Sequence, residues 1–109
     1  EIAAEGRETL GALAIEQLGR FKAEHVVLTI GGMTRGEIMD YDLRETEMAR
    51  AMVARSAKLT VLADHTKLDR AAVFEVAALS AVDRLVTDRA PEPEMAEALA
   101  EAGVEVVIA

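Results

Sequence analysis

The chain of 109 residues contains no cysteine, no tryptophan and only two prolines. Without cysteine it can form neither disulfides nor cysteine-ligated zinc or iron–sulfur sites, and it has no cysteine nucleophile. The lack of disulfides is typical of a cytoplasmic protein, which is the location we predict. No apolar run approaches the roughly 20 residues of a membrane-spanning helix.

Basic residues are also scarce, since 12 Lys and Arg stand against 20 Asp and Glu, for a net charge of −8. An acidic surface repels nucleic-acid backbones and anionic membranes, so we expect neither to bind this chain directly. The length suits a single domain over residues 1–109. Because the first residue is Glu1 rather than Met, we expect the chain to be part of a longer protein.

Apolar residues at steps of three and four predict a first helix over residues 8–21. Its stripe consists of Leu10, Leu13, Ala14, Leu18 and Phe21. Residues 26–30 form a β-branched run without alternation, which predicts a strand buried on both faces. Asp42 is a good N-cap for a second helix over residues 43–57. The side chains expected to face the core from that helix are Met48, Ala51 and Met52.

The second half of the chain continues the alternation. Strands are predicted over residues 59–63, 85–87 and 104–108. Between the last two, Pro91 and Pro93 mark the start of a helix that ends before Gly103. Its apolar face is formed by Met95, Ala98, Leu99 and Ala102. Residues 68–78 remain open: Leu68, Ala71, Ala72 and Val76 have helical spacing, whereas residues 73–76 also suit a strand.

Short strands separated by helices predict an α/β fold, with three α/β/α layers around a mainly parallel sheet. Right-handed crossovers place the carboxyl ends of all strands at one edge, where such sheets bind ligands. The residues just past the strands are Gly31, Gly32, Asp64 and Asp88. This edge is therefore the candidate site.

Each candidate also has a structural interpretation. The glycines of residues 31–36 either allow a ligand close to the backbone or form an ordinary tight turn. Asp64 and Lys67 would hold hydroxyls and a phosphate, or else form a loop salt bridge or a helix cap. Asp88 either faces a ligand or caps the turn before Pro91.

The remaining polar candidates are weighed in the same way. Asp42 and Glu45 are what a capping box requires, whereas capping does not need Glu47, which is therefore the more informative carboxylate. His65 has no evident nucleophile or orienting carboxylate at a recognisable spacing, so we interpret it as solvated or locally bonded. His25 is far from it in the sequence, and no metal site is predicted.

Taken in order, these motifs resemble the C-terminal sensor domain of DeoR-family bacterial transcriptional regulators. The most specific stretches are Leu-Ala-Asp-His-Thr-Lys at residues 62–67 and Val-Thr-Asp at residues 86–88. The Gly-Gly pair at residues 31–32 and Met-Asp-Tyr-Asp-Leu-Arg-Glu at residues 39–45 precede them. The similarity runs from about Gly6 to the end of the chain.

The resemblance implies a fold similar to ribose phosphate isomerase and the CoA transferases, used as a switch rather than an enzyme. It implies a phosphorylated sugar or polyol effector, no cofactor, a homo-oligomer, and DNA contact only through a domain absent from this chain. Lys67 is the first candidate for a charged group of the ligand. The ligand-facing positions it implies are Gly31, Gly32, Glu45 or Glu47, Asp64, Lys67 and Asp88.

The chain departs from the family in two places. Gly31 stands where the family commonly carries an aspartate, and the family's earlier Gly/Ser/Thr-rich phosphate loop has no counterpart. We therefore expect only part of the pocket here. Two alternatives stay open: a phosphosugar isomerase, with Asp64 or Glu47 as base and Lys67 as phosphate anchor, or a purely structural oligomerisation module.

Overall fold

The computed structural model describes residues 23–109, so the helix predicted over residues 8–21 lies outside the described residues. The strands are β1 (Ala23–Thr29), β2 (Gly32–Met33), β3 (Glu37–Asp40), β4 (Ser56–Leu62), β5 (Phe74–Ala78), β6 (Arg84–Thr87) and β7 (Glu105–Ile108). The helices are α1 (Leu43–Ala54) and α2 (Pro93–Glu101), and the short 3-10 turns are His65–Lys67 and Leu79–Ala81. No helix among residues 23–109 has the length and apolar character needed to cross a membrane.

The main sheet has four strands in the order β1-β4-β6-β7, and each neighbouring pair is parallel. The predicted α/β fold with a mainly parallel sheet is thereby confirmed. One face of this sheet forms the centre of the core, where Leu59, Val61 and Leu85 are fully buried. From α2, Met95 and Leu99 are also fully buried and belong to the same core, as their spacing predicted.

Strand β1 corrects the expectation of burial on both faces. Burial alternates along it: Val26 and Leu28 are buried, whereas Val27 is 52% exposed. Leu62 lies in register with Thr29 on the neighbouring strand and is exposed as well. On this other face Thr60, which is in register with Val27, is buried, whereas Val27 and Leu62 remain in contact with solvent.

Helix α1 begins as predicted but packs through a different set of residues. Asp42 is its N-cap and accepts a hydrogen bond from the Glu45 N–H at 3.0 Å. Its buried residues are Thr46 and Ala49, whereas Met48 is only partly buried. The core stripe also includes Met52 and Val53 but is not centred on Met48 and Ala51.

The buried threonine explains why the pattern of apolar residues was misleading. The Thr46 hydroxyl donates to the Asp42 carbonyl at 2.8 Å, so its polar atom is satisfied inside the helix. A hydroxyl bonded in this way can be buried at little cost, whereas a count of apolar residues passes over it.

Residues 74–78 form β5, so the strand interpretation of this segment is confirmed and the helical one is wrong. This strand pairs antiparallel with β3, which pairs antiparallel with β2, and the three make a second, small sheet. This second sheet was not predicted. Its strands are short, and long-range pairing rather than local pattern determines their conformation.

Two glycines bring the small sheet against the loop that follows β4. A Cβ on Gly32 would lie 2.2 Å from the carbonyl oxygen of Arg70, and one on Gly31 would lie 2.8 Å from a ring carbon of Tyr41. The Arg70 N–H also donates to the Met33 carbonyl at 3.1 Å. Backbone packing within the chain is therefore sufficient to require glycine at residue 32.

We expect Gly32→Ala to lower the free energy of unfolding by roughly 1–3 kcal/mol, because the methyl group must displace the backbone near Arg70. Gly36→Ala is the matched control, since a Cβ there meets nothing within 4 Å. It should change stability by no more than about 0.5 kcal/mol. Urea unfolding of both variants measures the difference, and equal stability would contradict the packing argument.

Candidate functional site

The carboxyl ends of the parallel strands meet at one edge, as the sequence predicted. Thr29 is in register with Leu62, which is in register with Val86. The residues that follow these strands are thus brought to one side of the sheet. An open cavity of about 300 Å³ lies at this edge and is lined by Leu62, Ala63, Asp64, Val86, Thr87, Asp88 and Ala109.

Asp64 shapes the turn that follows β4. Its Oδ1 accepts hydrogen bonds from the Thr66 N–H at 2.8 Å and from the Thr66 hydroxyl. These bonds favour the ionised carboxylate and hold the pKa of Asp64 below its usual value. The capping interpretation of Asp64 is therefore confirmed. Its Oδ2 makes no hydrogen bond within residues 23–109 and remains able to accept one at the mouth of the cavity.

Asp88 joins the end of β6 to the same turn. Its Oδ1 accepts from the His65 N–H at 2.7 Å, and its Oδ2 lies 2.8 Å from His65 Nδ1. The bond to the imidazole is the main reason that the pKa of Asp88 is lowered. Because an ionised carboxylate only accepts hydrogen bonds, Nδ1 carries a proton in this geometry. Asp88 thus has a structural partner that neither sequence interpretation named.

The loop beyond this turn is tied to the small sheet. Leu68 forms a parallel bridge with Met33, and the backbone of Arg70 bonds to the same residue. The segment after β4 therefore runs alongside the segment after β1. This is where Gly31 and Gly32 lie: next to the loop that follows Lys67.

The loop contains one residue in a left-handed conformation, Asp69, with φ of 57°. Its Oδ1 accepts from Arg35 Nε at 3.0 Å, and Arg35 Nη2 also lies 2.8 Å from Glu94 Oε1 in α2. Both carboxylates raise the pKa of Arg35. One guanidinium thus contacts the hairpin, the loop and a helix together.

Lys67 is a cation next to the candidate site, although it does not itself line the cavity. Its backbone N–H donates to the Asp64 carbonyl at 3.0 Å, which places it at the end of the turn. Within residues 23–109, no hydrogen bond or salt bridge fixes its ammonium. Its charge nonetheless contributes to the lowered pKa of Asp64. This lysine is therefore a cation near the cavity without a fixed anionic partner in the described part of the chain.

The structure brings together some of the predicted site residues and leaves others apart. Asp64 and Asp88 line the cavity, whereas Lys67, on the turn after Asp64, and Gly31 and Gly32, beside the loop that follows, do not line it. Two further candidates, Glu45 and Glu47, are exposed on α1 and do not line the cavity. Among residues 23–109, no group of three or more His, Asp or Glu side chains could hold a metal ion.

Neither His65 nor Arg35 was predicted from the sequence to have a role at the site. His65 is locally bonded, as the sequence analysis expected, but its orienting carboxylate is Asp88, a distant residue in the chain. Only the parallel register brings the two together. No local spacing could have indicated the pair.

A parallel sheet with an open cavity at the carboxyl ends of its strands, lined by apolar side chains and two aspartates, is the arrangement of an α/β ligand-binding domain. Residues 1–89 match the family model described as the DeoR C terminal sensor domain. The chain belongs to this family, as its motifs indicated. The family is a sensor domain rather than an enzyme, so the isomerase alternative is set aside.

Curated relatives of the chain are transcriptional regulators. It is 26% identical over 100 residues to the HTH-type transcriptional repressor CsqR of Escherichia coli, covering 91% of this chain and 38% of the relative. It is 31% identical over 101 residues to the HTH-type transcriptional regulator GolR of Listeria innocua, covering 92% and 39%. It is 30% identical over 84 residues to the glycerol-3-phosphate regulon repressor of Haemophilus influenzae, covering 76% and 33%. The chain thus spans well under half the length of these relatives.

The Asp88 carboxylate should make stability depend on acid pH. Its pKa is lowered in the folded state, so its contribution is complete above the ordinary Asp pKa of about 3.9 and is lost as pH falls through the lowered value. We expect Asp88→Asn to be less stable than the original chain at pH 7, and this difference to shrink between about pH 4 and pH 2.

Urea unfolding across that pH range measures the effect. Glu47→Gln is the control, because Glu47 is exposed on α1 and its side chain forms no salt bridge with any residue of 23–109. A difference between Asp88→Asn and the original chain that stays constant down to pH 2 would show that the carboxylate charge does not stabilise the fold.

Proposed function

We propose that this chain is the effector-binding part of a cytoplasmic DNA-binding transcriptional regulator, a repressor released by its ligand. DNA would be contacted by a domain outside these residues. The match to a sensor domain and the regulators among its relatives support this proposal. The acidic net charge of −8 agrees with a part of the protein that does not itself bind DNA.

We propose that residues 1–109 form the later part of one sensor domain and that its ligand is a phosphorylated sugar or polyol. The observation that carries the proposal is that no anion of the described residues fixes the Lys67 ammonium, while its charge helps to lower the pKa of Asp64, which lines the cavity. An ammonium suits a phosphate, and the unbonded Asp64 Oδ2 suits a hydroxyl. The glycerol-3-phosphate regulon repressor among the relatives favours a ligand of this size and charge.

Ligand control would act through a population shift. A ligand held between Lys67 and Asp64 changes DNA affinity only by its different affinity for two arrangements of the regulator. The loop over residues 64–70 would change position between the two arrangements of the regulator. It is bonded to the main sheet through Asp88 and to the small sheet through Met33, so it can transmit a change at the site to both.

Lys67→Ala should weaken binding of glycerol 3-phosphate by at least about tenfold, because a charge-assisted hydrogen bond contributes roughly 1.5–3 kcal/mol. Isothermal titration calorimetry of the chain with glycerol 3-phosphate, inorganic phosphate and glycerol measures this loss. We expect the phosphate ester to bind more tightly than glycerol. In the longer regulator, the same variant should fail to release operator DNA when ligand is added.

Lys58→Ala is the matched control for charge. Lys58 is an exposed lysine near the start of β4, at the opposite end of the strand from Asp64. It should bind the ester as the original chain does. Equal affinity of the original chain, Lys67→Ala and Lys58→Ala would contradict the role assigned to Lys67.

We also propose that the chain forms homo-oligomers through the less covered face of the parallel sheet, where Val27 and Leu62 are exposed. Val27→Lys should then reduce the mass in solution toward the 11.7 kDa of one chain. Val73→Lys is the control, because Val73 is 61% exposed but lies before β5, away from that face. Sedimentation velocity measures both, and a monomeric original chain would contradict the proposal.

A further inference from the structure

The orientation of the His65 ring is fixed by one carboxylate, and its outer nitrogen is left unbonded. Asp88 accepts from both the backbone N–H and Nδ1 of this histidine, at 2.7 and 2.8 Å. The His65 side chain is 39% exposed, and Nε2 has no hydrogen-bond partner within residues 23–109. An imidazole held at Nδ1 in this way presents Nε2 in a defined direction.

The ring lies at the border of the candidate site. His65 follows Asp64 directly, and its ring bonds to Asp88, and both carboxylates line the cavity. On the same 3-10 turn, Lys67 is two residues further on. A proton on Nε2 therefore adds a second positive charge near Lys67, at a rim where two carboxylates otherwise oppose an incoming anion.

The other charged groups near this ring are few in the described part of the chain. Asp64 caps the turn, Lys67 ends it, and Arg89, which follows Asp88, is exposed. They are present in every variant compared below, so they do not distinguish the variants. A difference in anion affinity between the variants would then come from His65.

We propose that His65 is a second anion-binding group of this site, which in its protonated form donates the Nε2–H to the ligand phosphate. This inference rests on the proposed function. With Nδ1–H donating to Asp88, the neutral ring has a lone pair on Nε2; that lone pair takes a proton from solvent, and the new N–H bonds to a phosphate oxygen. Binding of a phosphate ester is thereby coupled to the uptake of a proton.

The coupling also gives the site a basis for specificity. A neutral polyol can bond to Asp64 but gains nothing from a protonated ring, whereas a phosphate ester contacts both Lys67 and His65. The pair of cations thus favours phosphorylated over unphosphorylated ligands, and the preference increases as the pH falls through the range in which histidine titrates.

The test is calorimetric titration of the chain with glycerol 3-phosphate at pH 6 and pH 8, for the original chain, His65→Gln and His25→Gln. His25 is the matched control, because it lies in β1 and its ring bonds to Thr60 at 2.7 Å. The phosphate itself titrates near pH 6, but this contribution is common to all the proteins. Between pH 6 and pH 8, the affinity for the ester should fall in every protein that keeps His65. The factor of this fall should be about five times larger in the original chain and in His25→Gln than in His65→Gln.

A second measurement does not depend on a variant. In NMR spectra of the original chain at pH 6, glycerol 3-phosphate should change the chemical shifts of the His65 ring, whereas those of the His25 ring should be unchanged. Identical pH profiles for His65→Gln and the original chain, or His65 signals that ignore the ester, would overturn the inference. If Lys67→Ala still loses binding, the proposed function stands without the role of His65; if neither the original chain nor the longer regulator binds the ester at either pH, both proposals fail.

Discussion

The register of the parallel strands is the constraint on which the site depends. Leu59, Val61 and Leu85 are fully buried on one face of the main sheet, and a slip of one residue would exchange each of them for a residue from the other face. The hydrophobic core thereby fixes where β4 and β6 end. Since Asp64 lies two residues past the end of β4 and Asp88 directly follows β6, the buried residues of these strands set the relative position of the two aspartates.

The polar groups at the edge are consequently both structural and chemical. Each aspartate uses one or both carboxylate oxygens to hold the His65–Lys67 turn, and each has a lowered pKa because it accepts those hydrogen bonds. The bonds keep both groups ionised, which would repel an anionic ligand if cations were not adjacent. Lys67 lies at the end of that same turn, so the segment that the two aspartates hold also carries a cation.

Much of the fold was predictable because it is determined locally. The β-branched runs of β1, β4 and β6, the Asp42 cap and the Met95/Leu99 stripe follow from spacing and side-chain chemistry alone. The small sheet was not predictable, because β5 depends on pairing with the distant β3. The burial of Thr46 was missed since its hydroxyl is satisfied within the helix, where an apolar pattern gives no sign of it.

Part of the candidate site was likewise predictable from the sequence, and part was not. The position of Asp64 at a strand end was readable, and so was its possible role as a cap. The contact between His65 and Asp88 was not, because it joins residues 23 positions apart through tertiary structure. Glu45 and Glu47 were inferred from family resemblance, and the structure places them on a helix surface outside the cavity lining.

The guanidinium of Arg35 restrains the loop over residues 64–70 relative to α2. It joins Asp69 in the loop to Glu94 in α2, so a displacement of the loop must either carry the helix with it or separate an ion pair. Such pairs are weak where they are solvated, and the Arg35 side chain is 53% exposed. The ion pairs of Arg35 therefore favour one position of the loop relative to α2, but they are weak enough for thermal motion to break and re-form them.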